Sequence, residues 1–150
     1  MQIEQIRLKN FRAFRDVQMK DIPRFCVLVG ANGSGKSSLF SVFAFLRDAM
    51  ASNVTVALAR LGGSRGIQEV RSRGARGPIE IELKIRTDLG NKGSKLITYE
   101  LHIDDEGGRP VVVREILRYR RGSSGKPWRF LDFSRGVGEA VTNELDSVDD

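Results

Sequence analysis

Eight residues, Gly30-Ala31-Asn32-Gly33-Ser34-Gly35-Lys36-Ser37, constrain this 150-residue chain more than any others. They read Gly, four residues, then Gly-Lys-Ser, with an apolar run before them (Phe25, Cys26, Val27, Leu28, Val29) and a helical pattern after them. That is the strand, loop and helix of a phosphate-binding P-loop. A phosphate chain has to be wrapped by backbone N–H groups, and glycines let the backbone approach closely enough to do it. Lys36 opens the helix, so its ammonium can reach the β- and γ-phosphates beside the helix N-terminus and its free N–H groups. Ser37 offers a hydroxyl to Mg²⁺, and Ser38 follows it into the first turn. The candidate nucleotide-binding residues are therefore Gly30, Ala31, Asn32, Gly33, Ser34, Gly35, Lys36, Ser37 and Ser38, with Lys36 the candidate catalytic residue and Ser37 the metal ligand.

The length is enough for one domain with a real core. No apolar run approaches the length of a membrane-spanning helix, and the opening residues lack the form of a signal peptide, so the expectation is a cytoplasmic protein without a membrane partner. Cys26 is the single cysteine, which excludes an internal disulfide; within the predicted strand it reads as a small buried hydrophobe.

The net charge of +6 and pI near 9.9 invite a nucleic-acid reading. Basic residues cluster at Arg60, Arg65, Arg71, Arg73 and Arg76, and again at Arg114, Arg118, Arg120, Arg121, Lys126 and Arg129, while the chain from Glu139 to Asp150 is acidic. Such clusters attract a phosphate backbone, or form a solvated face.

In chain order, Ile3, Ile6 and Leu8 suggest a first strand, followed by a short strand around Val17 and Met19 that Pro23 ends. Residues 25–29 are apolar at every position, as expected of a strand covered on both faces in a parallel sheet. A helix is predicted from Lys36 to Met50, its stripe made of Leu39, Val42, Phe43, Leu46 and Met50; Phe40 and Phe45 lie on other faces, so most of its sides should be covered. A second helix is predicted from Asn53 to Leu61, capped by Ser52 and stopped by Gly62 and Gly63, with a glycine- and arginine-rich loop over 62–78. From Pro78 the period becomes two, and four strands at about 79–86, 97–103, 111–119 and 128–133 form an antiparallel meander. The tail from Ser134 has no clear periodicity.

Three further segments resemble sites. Leu101 to Glu106 is an apolar stretch ending in acids, but Glu100 and His102 alternate with its apolar residues, which fits a hairpin turn better than a buried Mg²⁺-binding strand. Ser124-Gly125-Lys126 is followed by Pro127 and a strand, hence a turn. His102 has no second histidine or thiol near it for a zinc site.

The run Lys9-Asn10-Phe11-Arg12-Ala13-Phe14, followed by Val29 through Ser38, resembles the start of the RecF-like and SMC-like branch of ABC-type ATPases. More closely, it resembles bacterial AAA family ATPases grouped with OLD-type nucleases and phage-defence ATPases. The resemblance implies an α/β P-loop NTPase fold, the N-terminal lobe of an ABC/RecF-like head with an antiparallel β-meander. It divides the chain into a P-loop lobe (1–77), a β subdomain of the same head (78–133) and an acidic tail or start of a C-terminal lobe (134–150). It implies ATP and Mg²⁺ as cofactors and Arg12 as a ribose or α-phosphate contact, with Asn10 a lesser candidate and Gln68 a candidate for the glutamine that touches Mg²⁺ and water. The Walker B strand, the Leu-Ser-Gly-Gly-Gln-like segment and the switch histidine of such heads are not found. The expected partners are thus a missing C-terminal lobe or partner chain, a second head in a head-to-head dimer, and DNA. The expected function is ATP binding without efficient hydrolysis, in DNA maintenance or phage defence. A small-molecule kinase lacks its lid here, and a GTPase its base-reading motif, since Asn91-Lys92-Gly93-Ser94 has no Asp. The remaining alternative is a basic nucleic-acid-binding module in which nucleotide is only structural.

Overall fold

The computed structural model describes residues 1–88, 93–119 and 127–140. Arg120, Arg121, Ser124, Gly125, Lys126, Asn91, Lys92 and the acidic end of the chain beyond residue 140 lie outside them.

The described elements run as two strands, a block of helices and five further strands, with the helices packed on one face of the sheet. Strand β1 (Gln2–Phe11) turns back through Arg12 and Ala13 into β2 (Phe14–Met19). After the glycine-rich segment at 30–35 come α1 (Lys36–Ala51), α2 (Val54–Gly62), a 3-10 turn at Gly63–Arg65 and the short α3 (Ile67–Val70). Five strands follow: β3 (Ile79–Asp88), β4 (Ser94–Glu106), β5 (Arg109–Tyr119), β6 (Trp128–Ser134) and β7 (Val137–Ala140). All the described strands join one antiparallel sheet in the order β2-β1-β3-β4-β5-β6-β7.

The period-two pattern decides which face of that sheet is wet. Ile79, Ile81 and Leu83 of β3 point to the helices and are buried with Ile6 and Leu8 of β1 and Leu101 and Ile103 of β4. The residues between them face away and pair across strands: Arg7 with Asp16, Lys9 with Glu80, Gln5 with Glu82, Arg118 with Glu100. The helices close the core with Leu39, Val42, Phe45 and Leu46 of α1, Ala57 and Leu58 of α2, and Ile67 and Val70 of α3. At its margin the Tyr99 hydroxyl donates to Glu115 at 2.8 Å.

Burial, then the hydrogen bond to Glu115 and its negative charge, raise the Tyr99 phenol above its ordinary value. The folded value exceeds the unfolded one, so the resulting stability is fully present below about pH 10 and is lost as pH rises from there through the folded value. Spectrophotometric titration of a Tyr119→Phe variant, which leaves Tyr99 as the sole tyrosine, is expected to show it still neutral at about pH 10, where a free phenol is half ionised. Half-ionisation there in the folded protein would contradict this assignment.

Several expectations are corrected. Residues 25–29 form no strand: Phe25 is 82% exposed and Val29 91%, and Cys26 is exposed rather than buried. A strand exists only where a neighbour takes its N–H and C=O groups, and no described strand lies beside this run. Helix α1 is covered on one side only; Phe45 faces the core, while Phe40 is 61% exposed and Met50 87%. The cap of α2 is Asn53, whose side chain accepts from the Val56 N–H, not Ser52. The loop predicted over 62–78 carries α3, and the unpatterned tail carries β7. No helix among the described residues is long and apolar enough to cross a membrane.

Candidate nucleotide site

The glycine-rich segment before α1 sits against the β1–β2 turn. Gly35 precedes α1 in a left-handed conformation (φ 94°), and a Cβ there would lie 3.0 Å from the Phe14 ring. The dihedral would strain a larger residue there, and its Cβ would press on the Phe14 ring. Within the loop the Ser34 N–H donates to Ala31 O at 3.2 Å, making a tight turn. A side chain at Gly30 would run into the Ser34 hydroxyl at 2.7 Å.

The first turn of α1 is open for an anion. No side chain caps it and it holds no acidic residue; the Leu39 N–H, bonded to Gly35 O at 3.0 Å, is the first to be satisfied within the helix. The N–H groups of Lys36, Ser37 and Ser38 precede it and have no helical acceptor. Lys36 Nζ folds back over the loop, donating to Gly30 O, to Ala31 O at 2.8 Å and to Ser34 Oγ at 3.3 Å. Its charge thus already lies on the loop that a polyphosphate would occupy. Ser37, next in the chain, is exposed. This donor set fits a nucleotide phosphate chain and its Mg²⁺.

Arg12 and Asn10 are held in a different way. Arg12 Nη1 donates to Ser41 Oγ at 3.2 Å and Nη2 to Leu61 O at 3.0 Å. Asn10 is buried, and its Nδ2 donates to Arg76 O and Pro78 O at 3.3 and 2.9 Å. Gln68, on α3, donates to Asp105 Oδ2 at 3.4 Å. Asp104, Asp105 and Glu106 end β4 at the turn into β5, where Arg71 takes Asp104 at 2.7 Å, the Gly108 N–H takes Asp105 and Arg135 takes Glu106.

Register also disposes of most of the basic clusters. Arg114 and Arg129 share Asp132, Arg118 pairs with Glu100, Arg65 with Glu69 and Arg71 with Asp104. Asp48 takes both Arg47 and Arg60; its carboxyl is held below its ordinary value first by the hydrogen bond from Arg47. Arg15, Arg73 and Arg76 are among the described cations without a carboxylate partner, and Arg15 Nη2 donates to Arg73 O at 3.0 Å, which joins the start of β2 to the loop that follows α3. Sequence reasoning missed Ser41 and the buried Ser72, whose hydroxyl donates to Phe14 O at 2.7 Å and whose N–H donates to Asn10 O at 3.1 Å. Neither has a signal in sequence, since a serine in a helix or loop reads as solvated.

Residues 25–148 match the family described as "AAA domain, putative AbiEii toxin, Type IV TA system". The chain is 33% identical over 139 residues to the DNA replication and repair protein RecF of Paenarthrobacter aurescens (strain TC1), covering 88% of this chain and 34% of that protein. Against RecF of Heliobacterium modesticaldum (strain ATCC 51547 / Ice1) it is 26% identical over 137 residues, covering 88% and 37%. The chain therefore spans about a third of the length of the curated relatives it matches. A solved structure from work on ATP-driven dimerization and DNA-stimulated activation of SMC ATPases shares 20% identity at a TM-score of 0.47, covering 78% of this chain and 69% of that one.

Proposed function

This chain belongs to the AAA-domain family, and on that premise we propose that residues 30–38 are a Walker A loop that binds Mg·ATP in an ATPase head related to RecF. The observation that carries the reading is the uncapped N-terminus of α1 with Lys36 Nζ already laid over the loop carbonyls. In this reading Lys36 leaves those carbonyls for the β- and γ-phosphates, while the N–H groups of the loop and first turn close around the phosphate oxygens. The Ser37 hydroxyl is the group that would hold Mg²⁺, which neutralises phosphate charge when bound.

We assign binding and not efficient hydrolysis. The acidic end of β4 is committed to Arg71, Gln68 and Arg135 at a hairpin tip, so it does not supply a water-polarising carboxylate. The exposed apolar run at 25–29 borders an apolar groove of about 870 Å³ between the start of β1 and α1, which further strands would fill. In this reading the groups that complete hydrolysis come from a C-terminal lobe or a partner head. A second reading rests on Arg15, held at the carbonyl of Arg73 with no carboxylate partner on either side chain: this corner takes a nucleic-acid phosphate backbone and nucleotide is only structural, whereas in the first reading the ATPase head serves a cytoplasmic role in DNA maintenance or phage defence.

Calorimetric titration with Mg·ATP, run beside a phosphate-release assay, is expected to give one bound nucleotide per chain and no phosphate release above buffer. Release by the chain alone would overturn the division of labour, and absence of heat would overturn the site. Salt-dependent binding of a DNA duplex, indifferent to ATP, would leave nucleotide a structural role only.

A further inference from the structure

We infer that Arg12 is a positioning residue that fixes the start of α1, and with it the phosphate-binding loop, onto the corner made by α2 and α3, acting through Ser41. The inference rests on the nucleotide reading above and assigns a role within it.

The argument starts from the backbone. Asn10 and Arg12, on either side of the buried Phe11, both have positive φ, 56° and 50°, a region that L residues seldom enter. Both are pinned there: the Arg12 N–H donates to Val70 O at 2.6 Å, and the Asn10 side chain to the carbonyls of Arg76 and Pro78. A turn held this way has no freedom to re-aim its side chains, and it aims Arg12 between two helices.

There the guanidinium is shared. Nη2 donates to Leu61 O in the last turn of α2, where carbonyls lack helical partners and a cation suits the negative end of the helix. Nη1 donates to Ser41 Oγ, and that hydroxyl donates in turn to Ser37 O at 2.7 Å. The Ser41 hydroxyl thus accepts from Arg12 and donates its own proton to the carbonyl of Ser37, the residue assigned above to hold Mg²⁺. Two hydrogen bonds connect the β1–β2 turn to the first turn of α1, and the Phe14 ring lies close to Gly35, which precedes that turn. An ammonium is not equivalent to this fork, because it lacks the two separate coplanar nitrogens with which one guanidinium reaches α1 and α2 at the same time.

The test compares Mg·ATP binding by calorimetry for the wild-type chain, Arg12→Ala, Arg12→Lys, Ser41→Ala and the Arg12→Ala/Ser41→Ala double variant, each with its thermal unfolding recorded. If Arg12 positions the loop, Arg12→Ala weakens binding about tenfold or more, as expected for losing a hydrogen bond from a charged group. Arg12→Lys does not restore the affinity, Ser41→Ala reproduces much of the loss, and the double variant is no weaker than Arg12→Ala. A direct phosphate contact by Arg12 gives the opposite pattern, with rescue by lysine, a silent Ser41→Ala and additive losses, and would overturn the inference. A role in folding alone lowers the fraction of competent protein and the melting temperature while leaving Kd unchanged, and would overturn it as well. Absence of wild-type binding instead removes the nucleotide reading itself.

Discussion

Lys36→Ala is expected to weaken Mg·ATP binding by about a hundredfold or more while leaving the fold intact. The Lys36 ammonium has three acceptors within the loop, the carbonyls of Gly30 and Ala31 and the Ser34 hydroxyl, and no carboxylate. A phosphate chain entering the loop offers that cation stronger, charged acceptors. Two charge-assisted hydrogen bonds at about 1.5–3 kcal/mol each, with tenfold in affinity for every 1.4 kcal/mol, set the size of the loss. The folded state without ligand has little to lose, because the loop is exposed and water replaces the ammonium on its carbonyls. Calorimetry on the variant, with thermal unfolding recorded in the absence of nucleotide, measures both halves of this expectation. Equal affinity in wild type and variant would show that the loop is not the phosphate site.

How far the sequence reveals such a site depends on the range of the interactions involved. The start of α1 at Lys36 is legible because it depends on local chemistry, glycines followed by a helical pattern. The alternation in β3 and β4 is legible because the sheet buries one face, so Ile79, Ile81, Leu101 and Ile103 had to be inside. Residues 25–29 misled for the complementary reason: an all-apolar run states what the segment would do between two neighbours, and no described strand supplies them. Which of the clustered cations are ion-paired was not legible, since the pairing of β5 with β4 and β6 is what brings Glu100 to Arg118 and Asp132 to Arg114. No count of charges along the chain contains that information. Arg12 was visible as a candidate, but its acceptors, Ser41 and the Leu61 carbonyl, are 29 and 49 positions away.

Phe11→Ala is expected to destabilise the folded chain by about 3–5 kcal/mol, the range found when a large aromatic is removed from a core. Phe11 is fully buried, and its ring lies 6.4 Å from that of Phe45, tilted by 56°, which joins the end of β1 to α1. The cost should fall high in the range because the surroundings cannot collapse. Asn10 and Arg12 on either side are pinned by the hydrogen bonds that hold their positive φ values, and Phe11 itself bridges Arg71. A cavity that stays open keeps its full penalty. Against a typical domain stability of about 5–15 kcal/mol this is a large share, whereas Phe40→Ala, on the exposed side of α1, should change stability by no more than about 0.5 kcal/mol. Equilibrium urea unfolding of the two variants tests the contrast; a loss below about 1 kcal/mol for Phe11→Ala would mean that the strand and helix are not joined through this ring. The same variant links packing to the site. Ligand that binds only the folded state restores stability by mass action, about 2.7 kcal/mol at a hundred times Kd, so Mg·ATP should recover much of what Phe11→Ala loses. It should recover almost nothing once Lys36→Ala is added.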